Sequence, residues 1–555
     1  MSNKTNGVFY TPKILSDFIV DRIFYEYNGL DQELKILEPS CGDGVFLDSL
    51  VNNELSYKNR SEKGNPLINK KAIITLIEKD TAVTKVLSSN ITSYYYKNVD
   101  IKLVNDDYLN FHFRDKKNYD LILANPPYIK KEYLSDRQIE LCEMIHKEIN
   151  LDKKRIQNIW TAFLLSGILK LTKEGIMAFV IPCELLQIQH TEPIRNLLSE
   201  HFEKIEIFAF NEIIFEGLQQ DTIAIICYKK AINTKKPGVS FYQVDKLEDL
   251  KEPDFTTKNT NIHRTELKKW TNYLLTEEEL NYLTRLTKEF KKIRIYCTAQ
   301  VGVVTAANDF FIFNEEVKQK FELDACTLPI IQKISLLKRK LIIEDEDVEK
   351  IKANNKPCNL LNLEGMQFKD FPKLLKEYLK FGESKEIHNR YKCKLRNNWY
   401  DVPSTWVSDL LFIKRCDIYP RIIVNNTNST VTDSFYRIKL NEGLDKQSFA
   451  FSFYNSLTFI FSELEGRYYG GGVLELTPNE FKDLPIPYIR VKKNDFSKLN
   501  KLLLRNAPVI EILNFTDKII LKDNLGFSDR DIEKLHKLYD RLLSRRINRH
   551  KYKSI

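Results

Sequence analysis

Short apolar runs recur through the first 230 residues: KILEP (35–39), AIITLIEKD (72–80), KLVNDDYL (102–109), YDLILANPP (119–127), IMAFVIP (176–182), KIEIFAF (204–210) and TIAIICYKK (222–230). Amphipathic segments of helix length separate several of them, including TPKILSDFIVDRIFYEY (11–27) and WTAFLLSGILKLTKEG (160–175). Continuous apolar strands alternating with helices are the pattern of a parallel sheet covered on both faces, so this half reads as a Rossmann-like α/β fold. Gly175 is predicted to stop the second helix just before a buried strand.

The rhythm then breaks. Residues 231–262 are polar and irregular, with one strand-like island at 239–244, and a domain boundary is expected there, giving 1–262 and 263–555. The second half mixes strands such as PRIIVNN (420–426) with Tyr/Phe/Asn-rich segments and helices, which predicts a mixed α+β domain. Its last helix is expected over 528–549, with Leu535, Leu538, Leu542 and Leu543 at helical spacing.

Composition narrows the class. A hydrophobic fraction of 43% with 29% charged residues excludes wholesale disorder. No stretch approaches the ~18 uninterrupted apolar residues of a membrane span, and MSNKTNGVFYTPKIL carries no apolar signal core, so a soluble, cytoplasmic protein is expected. Nine dispersed cysteines, without local C-x-x-C pairs, make a disulfide framework or a zinc ribbon an unexpected reading, and no metal is predicted. The net charge of +9 permits nucleic-acid binding, and the last fifteen residues hold six Lys/Arg and no acid. That tail is either a phosphate contact or a solvated helix end.

Chemistry concentrates at the strand ends. In ILEPSCGDGVFL (36–47), Gly42 and Gly44 form a loop where the backbone can turn tightly and approach a ligand, although a short G-x-G is also an ordinary strand-to-helix turn. The next strand ends at Glu78, placed to accept the two hydroxyl protons of a ribose. The third ends in NDDYL, where Asp107 can accept from an adenine amine and Tyr108 can cover the ring. Glu78 alone reads equally as an exposed acid at a strand end, but the glycine loop and Glu78 together favour a nucleoside-type cofactor, and G-x-x-x-x-G-K-[ST] is absent. The fourth strand runs into Asn125-Pro126-Pro127-Tyr128. The prolines fix the backbone, so the Asn125 side-chain oxygen and the Pro126 carbonyl become two rigid acceptors. They match a planar –NH2 group, with Tyr128 as an aromatic face.

With these motifs in the order GVFYTP, EPSCGDG, IEKD, NDDYL, NPPY, the sequence resembles the gamma-class DNA adenine-N6 methyltransferases of bacterial type II restriction–modification systems. NIWTAFL (158–164), GIMAFVIP (175–182) and NEIIFEGLQQDTIAIICYKK (211–230) extend the likeness over roughly the first 230 residues. The resemblance implies S-adenosylmethionine as cofactor. Tyr10, Thr11 and Pro12 would close over its methionine end, with Glu38, Ser40 and Gly42 beside them. Glu78 would bind the ribose, Lys79 would flank the adenine and Asp107 would read its amine, chosen over Asp106 because D-Y-L matches the family spacing. Tyr108, Pro127 and Phe163 would pack around the cofactor; Asn125 and Pro126 would hold the target N6, and Tyr128 and Phe215 would sandwich the flipped-out base.

The resemblance further implies action on double-stranded DNA; a monomer is expected because a single recognition domain can serve an asymmetric site, and whether a cognate restriction endonuclease acts separately is left open. The C-terminal half resembles a target-recognition domain more loosely, through QVGVVTAANDFFIF (300–313), YPRIIVNN and GRYYGGGVLELTPNEFKDLPIP (466–487). Arg467, Tyr468 and Tyr469 before three glycines read either as a DNA-contacting loop or as a tight hairpin. Cys183 in IPCELL faintly resembles a Pro-Cys nucleophile, but an exocyclic nitrogen needs no thiolate, so it reads as a core strand end. The alternatives are an amino-methyltransferase of RNA or protein glutamine, and a non-catalytic nucleic-acid-binding protein that keeps the fold.

Overall fold

A computed structural model describes residues 9–26, 33–53, 67, 71–91, 98–152, 156–187, 189–212, 214–215, 221–230, 237–252, 255–258, 262–264, 270, 274–337, 339–403, 405–469 and 472–548. The chain divides into two compact units, one through Asn281 and one over Tyr282–Asn548. Among the described residues no helix is long and apolar enough to cross a membrane.

Among the described residues the first unit is built on nine strands: β1 (Leu34–Glu38), β2 (Ala72–Glu78), β3 (Val99–Asn105), β4 (Tyr119–Ala124), β5 (Leu171–Pro182), β6 (Lys204–Phe210), β7 (Thr222–Tyr228), β8 (Gly238–Val244) and β9 (Ile262–Arg264). Their order is β3-β2-β1-β4-β5-β7-β6-β8-β9. The first five run parallel, and β7 lies antiparallel between β5 and β6. This is the Rossmann-like α/β sheet that the apolar runs predict. Burial explains their composition: every residue of β6 and β7 is buried, whereas β3, at the sheet edge, alternates between exposed and half-buried positions. Strand order reverses between β1 and β4, which opens a crevice at their carboxyl ends.

One boundary differs from expectation. The helix beginning at Trp160 ends at Lys170, and β5 starts at Leu171, so Gly175 lies inside a strand. Leu171 already pairs with Tyr119, the Lys170 ammonium donates to the Asp115 carbonyl (2.7 Å), and the register slips before Ile176 meets Leu121. A Cβ at Gly175 would stand 2.8 Å from Leu171 Cδ2 and 3.2 Å from the Asp120 carbonyl. The glycine is required by close strand approach rather than by a helix stop. The unit also continues past residue 262, because β9 pairs with β8 and Trp270 packs edge-on against Phe241.

The second unit is mixed α+β. A five-stranded sheet orders Cys297–Val301, Phe435–Leu440, Leu410–Ile413, Ile422–Asn425 and Ile342–Ile343. A separate apolar cluster forms around Phe310, Phe311, Tyr378 and Cys393. The last helix, Asp529–Asn548, buries Leu535, Leu538, Leu542 and Leu543 as its spacing predicts. Arg546, read from sequence as part of a basic tail, is buried in an ion pair with Glu463 (2.7 Å); residues 549–555 lie outside the described residues. Arg467–Tyr469 form a strand of a hairpin with Val473–Glu475. Arg467 donates to Glu480 (3.1 Å) and the Tyr468 hydroxyl to the Glu463 carbonyl, so both are bonded within the unit. The Tyr469 side chain, Gly470 and Gly471 lie outside the described residues.

Candidate active site

The β1/β4 crevice is a cavity of about 740 Å³. After β1 the chain turns through Gly42 (φ 51°) and Gly44 (φ 85°), left-handed conformations that glycine adopts without strain. The Gly42 N–H donates to Glu78 Oε2 (3.0 Å), and the Asp80 N–H donates to Oε1 (2.7 Å). The Glu78 carboxylate is thus aimed by the backbone of two loops. Tyr10 lies across the turn, where a Cβ on Gly42 would approach its ring to 3.3 Å.

At the end of β3 the two aspartates part. Asp106 accepts from the Asp107 N–H and pairs with Arg114. Asp107 caps the helix Tyr108–Arg114 through Leu109 N–H (3.0 Å) and pairs with Lys79 (2.9 Å). Both line the cavity. Asn105, which sequence reasoning passed over, donates to the Glu78 carbonyl (2.9 Å) and so ties the tip of β3 to that of β2. Tyr108 packs against Phe163 (centroids 4.9 Å apart) and turns its hydroxyl to Ser166 (2.6 Å), which also meets His112 Nδ1 (2.6 Å).

Asn125 follows β4. Its Nδ2 donates to the Phe9 carbonyl (2.7 Å) and Thr11 Oγ1 (3.0 Å), while its own carbonyl accepts from Ser40 Oγ (3.1 Å). The side-chain amide therefore straps residues 9–11 against the NPPY turn and leaves Oδ1 as an acceptor. The buried Tyr128 hydroxyl reaches that Oδ1 (3.2 Å) and the Val180 carbonyl (3.0 Å); burial holds the phenol protonated, well above its ordinary range.

Tyr10, Thr11, Glu38, Ser40, Gly42, Glu78, Lys79, Asp107, Tyr108, Asn125, Pro126, Pro127, Phe163 and Phe215 all line this one cavity. Two expected residues do not. Pro12 starts the helix Lys13–Glu26, its carbonyl accepting from Leu15 and Ser16 N–H. Tyr128 sits behind the wall and meets Phe215 edge-to-face (6.3 Å, 71°) instead of as a parallel plate, because Phe9 packs against both rings (6.1 and 5.8 Å). Phe9 lies in GVFYTP beside assigned residues, but an aromatic there has no local signature of function. Cys183 is buried just after β5, as a strand end.

The electrostatics are one-sided. Among the described residues, six acidic side chains (Glu38, Asp43, Glu78, Asp80, Asp106 and Asp107) line the cavity against one lysine, Lys79. Glu38 is buried and, among the described residues, its Oε2 has no hydrogen-bond partner. Burial, with Asp43 and Glu78 nearby, holds its carboxyl well above the usual range. A cationic ligand would relieve this unfavourable concentration of acid.

A family model described as N-6 DNA Methylase matches residues 1–295, and one described as the C-terminal domain of the type II methyltransferase M.Eco57I matches residues 267–521. The chain is 25% identical over 542 residues to the type II methyltransferase M.AccI of Acinetobacter calcoaceticus, covering 91% of each. It is 24% identical over 492 residues to M.BanIII of Aneurinibacillus aneurinilyticus, covering 79% of this chain and 81% of that one. The solved type IIL restriction-modification enzyme MmeI in complex with DNA shares the fold, with a TM-score of 0.58 at 13% identity over 98% of this chain and 80% of that one.

Proposed function

Because the chain belongs to the N-6 DNA methylase family, we propose that it transfers a methyl group from S-adenosylmethionine to N6 of an adenine flipped out of duplex DNA, as the modification enzyme of a restriction–modification system. The first unit would be catalytic, and Tyr282–Asn548 would recognise DNA. One observation carries the reading: the Asn125–Pro126 acceptor pair and the acid cluster open onto the same cavity.

The cavity residues fit the cofactor. Its ammonium and sulfonium are cations, and the unpartnered Glu38 Oε2 in an acid-lined wall is a site for one. Glu38 and Ser40 would hold the amino-acid end under Tyr10 and Thr11, and Glu78 would accept from the ribose. Lys79 and Asp107 would flank and read the adenine, with Tyr108, Pro127 and Phe163 packed around it. S-adenosylmethionine supplies, when bound, a methyl group already activated on sulfur.

The chain's own work lies on the nitrogen. An aromatic amine is a poor nucleophile because its lone pair is delocalised into the ring. Asn125 Oδ1 and the Pro126 carbonyl, accepting hydrogen bonds from its two N–H groups, would draw it toward tetrahedral geometry and stabilise the positive charge that grows there. Tyr128 and Phe215 would offer rings to the flipped base, helping to offset a few kcal/mol of unstacking. Their edge-to-face contact must open to admit it. Arg467 and Tyr468 are bonded within their unit, and this reading does not depend on them.

The test is transfer of labelled methyl from S-adenosylmethionine to mixed duplex DNA, RNA and protein, with the products hydrolysed and resolved. N6-methyladenine in DNA is expected. Label in RNA or protein would overturn the substrate, and cofactor binding without transfer would favour a non-catalytic binding protein.

Glu38→Gln provides a second check. It is expected to weaken cofactor binding roughly 10–100-fold, as for a lost charge-assisted hydrogen bond of ~1.5–3 kcal/mol. The same change should stabilise the ligand-free protein at neutral pH. A carboxyl raised on folding keeps a proton that the unfolded chain releases, so stability declines as pH rises from the ordinary carboxyl range toward the raised value. Glutamine removes that loss. Calorimetric titration and melting curves across pH measure both arms.

A further inference from the structure

Tyr391 and Leu395, 78% and 70% exposed, are the two most exposed large apolar side chains among the described residues. They stand four apart on the short helix Tyr391–Lys394 and its C-cap, and so lie on one side of the turn. Scattered exposed hydrophobes on a surface need no explanation. These two differ in how firmly their backbone is held. Arg390 grips Asp309 with both terminal nitrogens (2.9 and 3.0 Å), and Cys393 is buried in the apolar cluster beneath. Arg396 donates to the carbonyls of Val304 (3.2 Å), Thr305 (2.7 Å) and Trp399 (3.2 Å). Residues 393 and 396 thus face the unit, Arg390 is exposed but paired with Asp309, and 391, 392, 394 and 395 face solvent.

Charge selects the partner. Residues 385–396, KEIHNRYKCKLR, hold five Lys/Arg against one Glu. Arg390 and Arg396 are consumed by the scaffold, whereas Lys392 and Lys394 are exposed and form no ion pair among the described residues. A rigid knuckle with two apolar side chains and two free ammonium groups is complementary to a groove walled by phosphates. We propose that this knuckle is a contact to duplex DNA, with Lys392 and Lys394 on the phosphates and Tyr391 and Leu395 entering the groove between them. The proposal rests on reading the second unit as the DNA-recognising one, and it assigns that role to residues outside the Arg467–Tyr469 hairpin.

The test uses the full chain and a fluorescent mixed-sequence duplex, titrated at several salt concentrations. Lys392→Ala/Lys394→Ala is expected to lower the slope of log affinity against log salt by about 1.8, or ~0.9 for each phosphate no longer neutralised. Tyr391→Ala/Leu395→Ala is expected to weaken binding roughly tenfold with the slope unchanged. S-adenosylmethionine binding and the melting temperature, read on the same samples, should stay at the parental values, because all four side chains are exposed. If the parental chain binds DNA and both double variants match it in affinity and slope, the knuckle assignment is overturned and the DNA reading stands. If the parental chain binds cofactor but no DNA, the functional reading itself fails. Variants that bind DNA normally but lose binding to anionic phospholipid vesicles would give the knuckle to a membrane surface and overturn the proposal.

Discussion

Asn125→Ala is expected to lower methyl transfer by at least about 10²–10³-fold, the usual cost of removing one preorganised group that stabilises developing charge. The loss should fall on kcat more than on cofactor affinity, because the acceptor acts on the target nitrogen. Asn125 also straps residues 9–11 through Phe9 and Thr11, so part of any loss can come from loosening that segment. Thr11→Val separates the two effects. It removes the Oγ1 partner but leaves Asn125 Oδ1 in place, and should cost less than about tenfold, in line with one lost neutral hydrogen bond. Single-turnover rates and cofactor titrations on both variants give the answer. A Thr11→Val loss as large as that of Asn125→Ala would reduce Asn125 to a structural strap.

Arg546→Ala carries the largest expected stability effect, about 3–5 kcal/mol, because it leaves a buried carboxylate without its countercharge. The Arg546 side chain is 1% exposed and that of Glu463 is fully buried. Nε donates to Glu463 Oε2 (2.8 Å) and Nη2 to Oε1 (2.7 Å). The remaining donors serve the carbonyls of Asp417, Ile418 (2.9 Å) and Gly472. One side chain therefore ties the last helix to the helix Ser456–Glu465 and to the 467–475 hairpin. Burial alone pushes the Glu463 carboxyl up, and the guanidinium opposes that shift. Without Arg546 that opposition is lost, the carboxyl should keep its proton to higher pH, and the variant should regain stability as pH falls. Arg546→Met combined with Glu463→Leu should recover most of the loss, since a packed apolar pair often replaces a buried ion pair at little cost. Denaturant unfolding of the single and double variants measures both. An unchanged midpoint for Arg546→Ala would refute the assignment.

These two residues mark what local patterning can and cannot carry. NPPY could be read because its chemistry is local: prolines fix the backbone of the very residues that present the acceptors. The strands could be read because an apolar run needs only to be buried, whichever strand lies beside it. Arg546 could not, since RLLSRRINR is as consistent with a solvated basic helix as with one that buries a single arginine. Its meaning comes from a glutamate 83 positions earlier.

The same division runs through the cavity. Sequence order and strand-end placement were enough to single out Glu78, Asp107 and Asn125, because these depend on short-range signals at the ends of apolar runs; Glu38 entered only through the family resemblance, and all four line the cavity. Gly175 misled because a glycine after a helical pattern marks a stop or a close approach, and only the slipped β4–β5 register distinguishes them. Pro12 and Tyr128 stand next to residues that line the cavity, and sequence adjacency cannot tell a wall from its support. Phe9 went unassigned, and the edge-to-face packing of Tyr128 and Phe215 went unforeseen, for one reason: ring geometry is set by contacts among β4, the segment before the first helix and the segment after β6. By itself the sequence determined the element types, the sheet class and the chemical groups available. Tertiary structure decided which of those groups converge, which are consumed as scaffold and which remain free, because partner choice is a long-range property that no local pattern encodes.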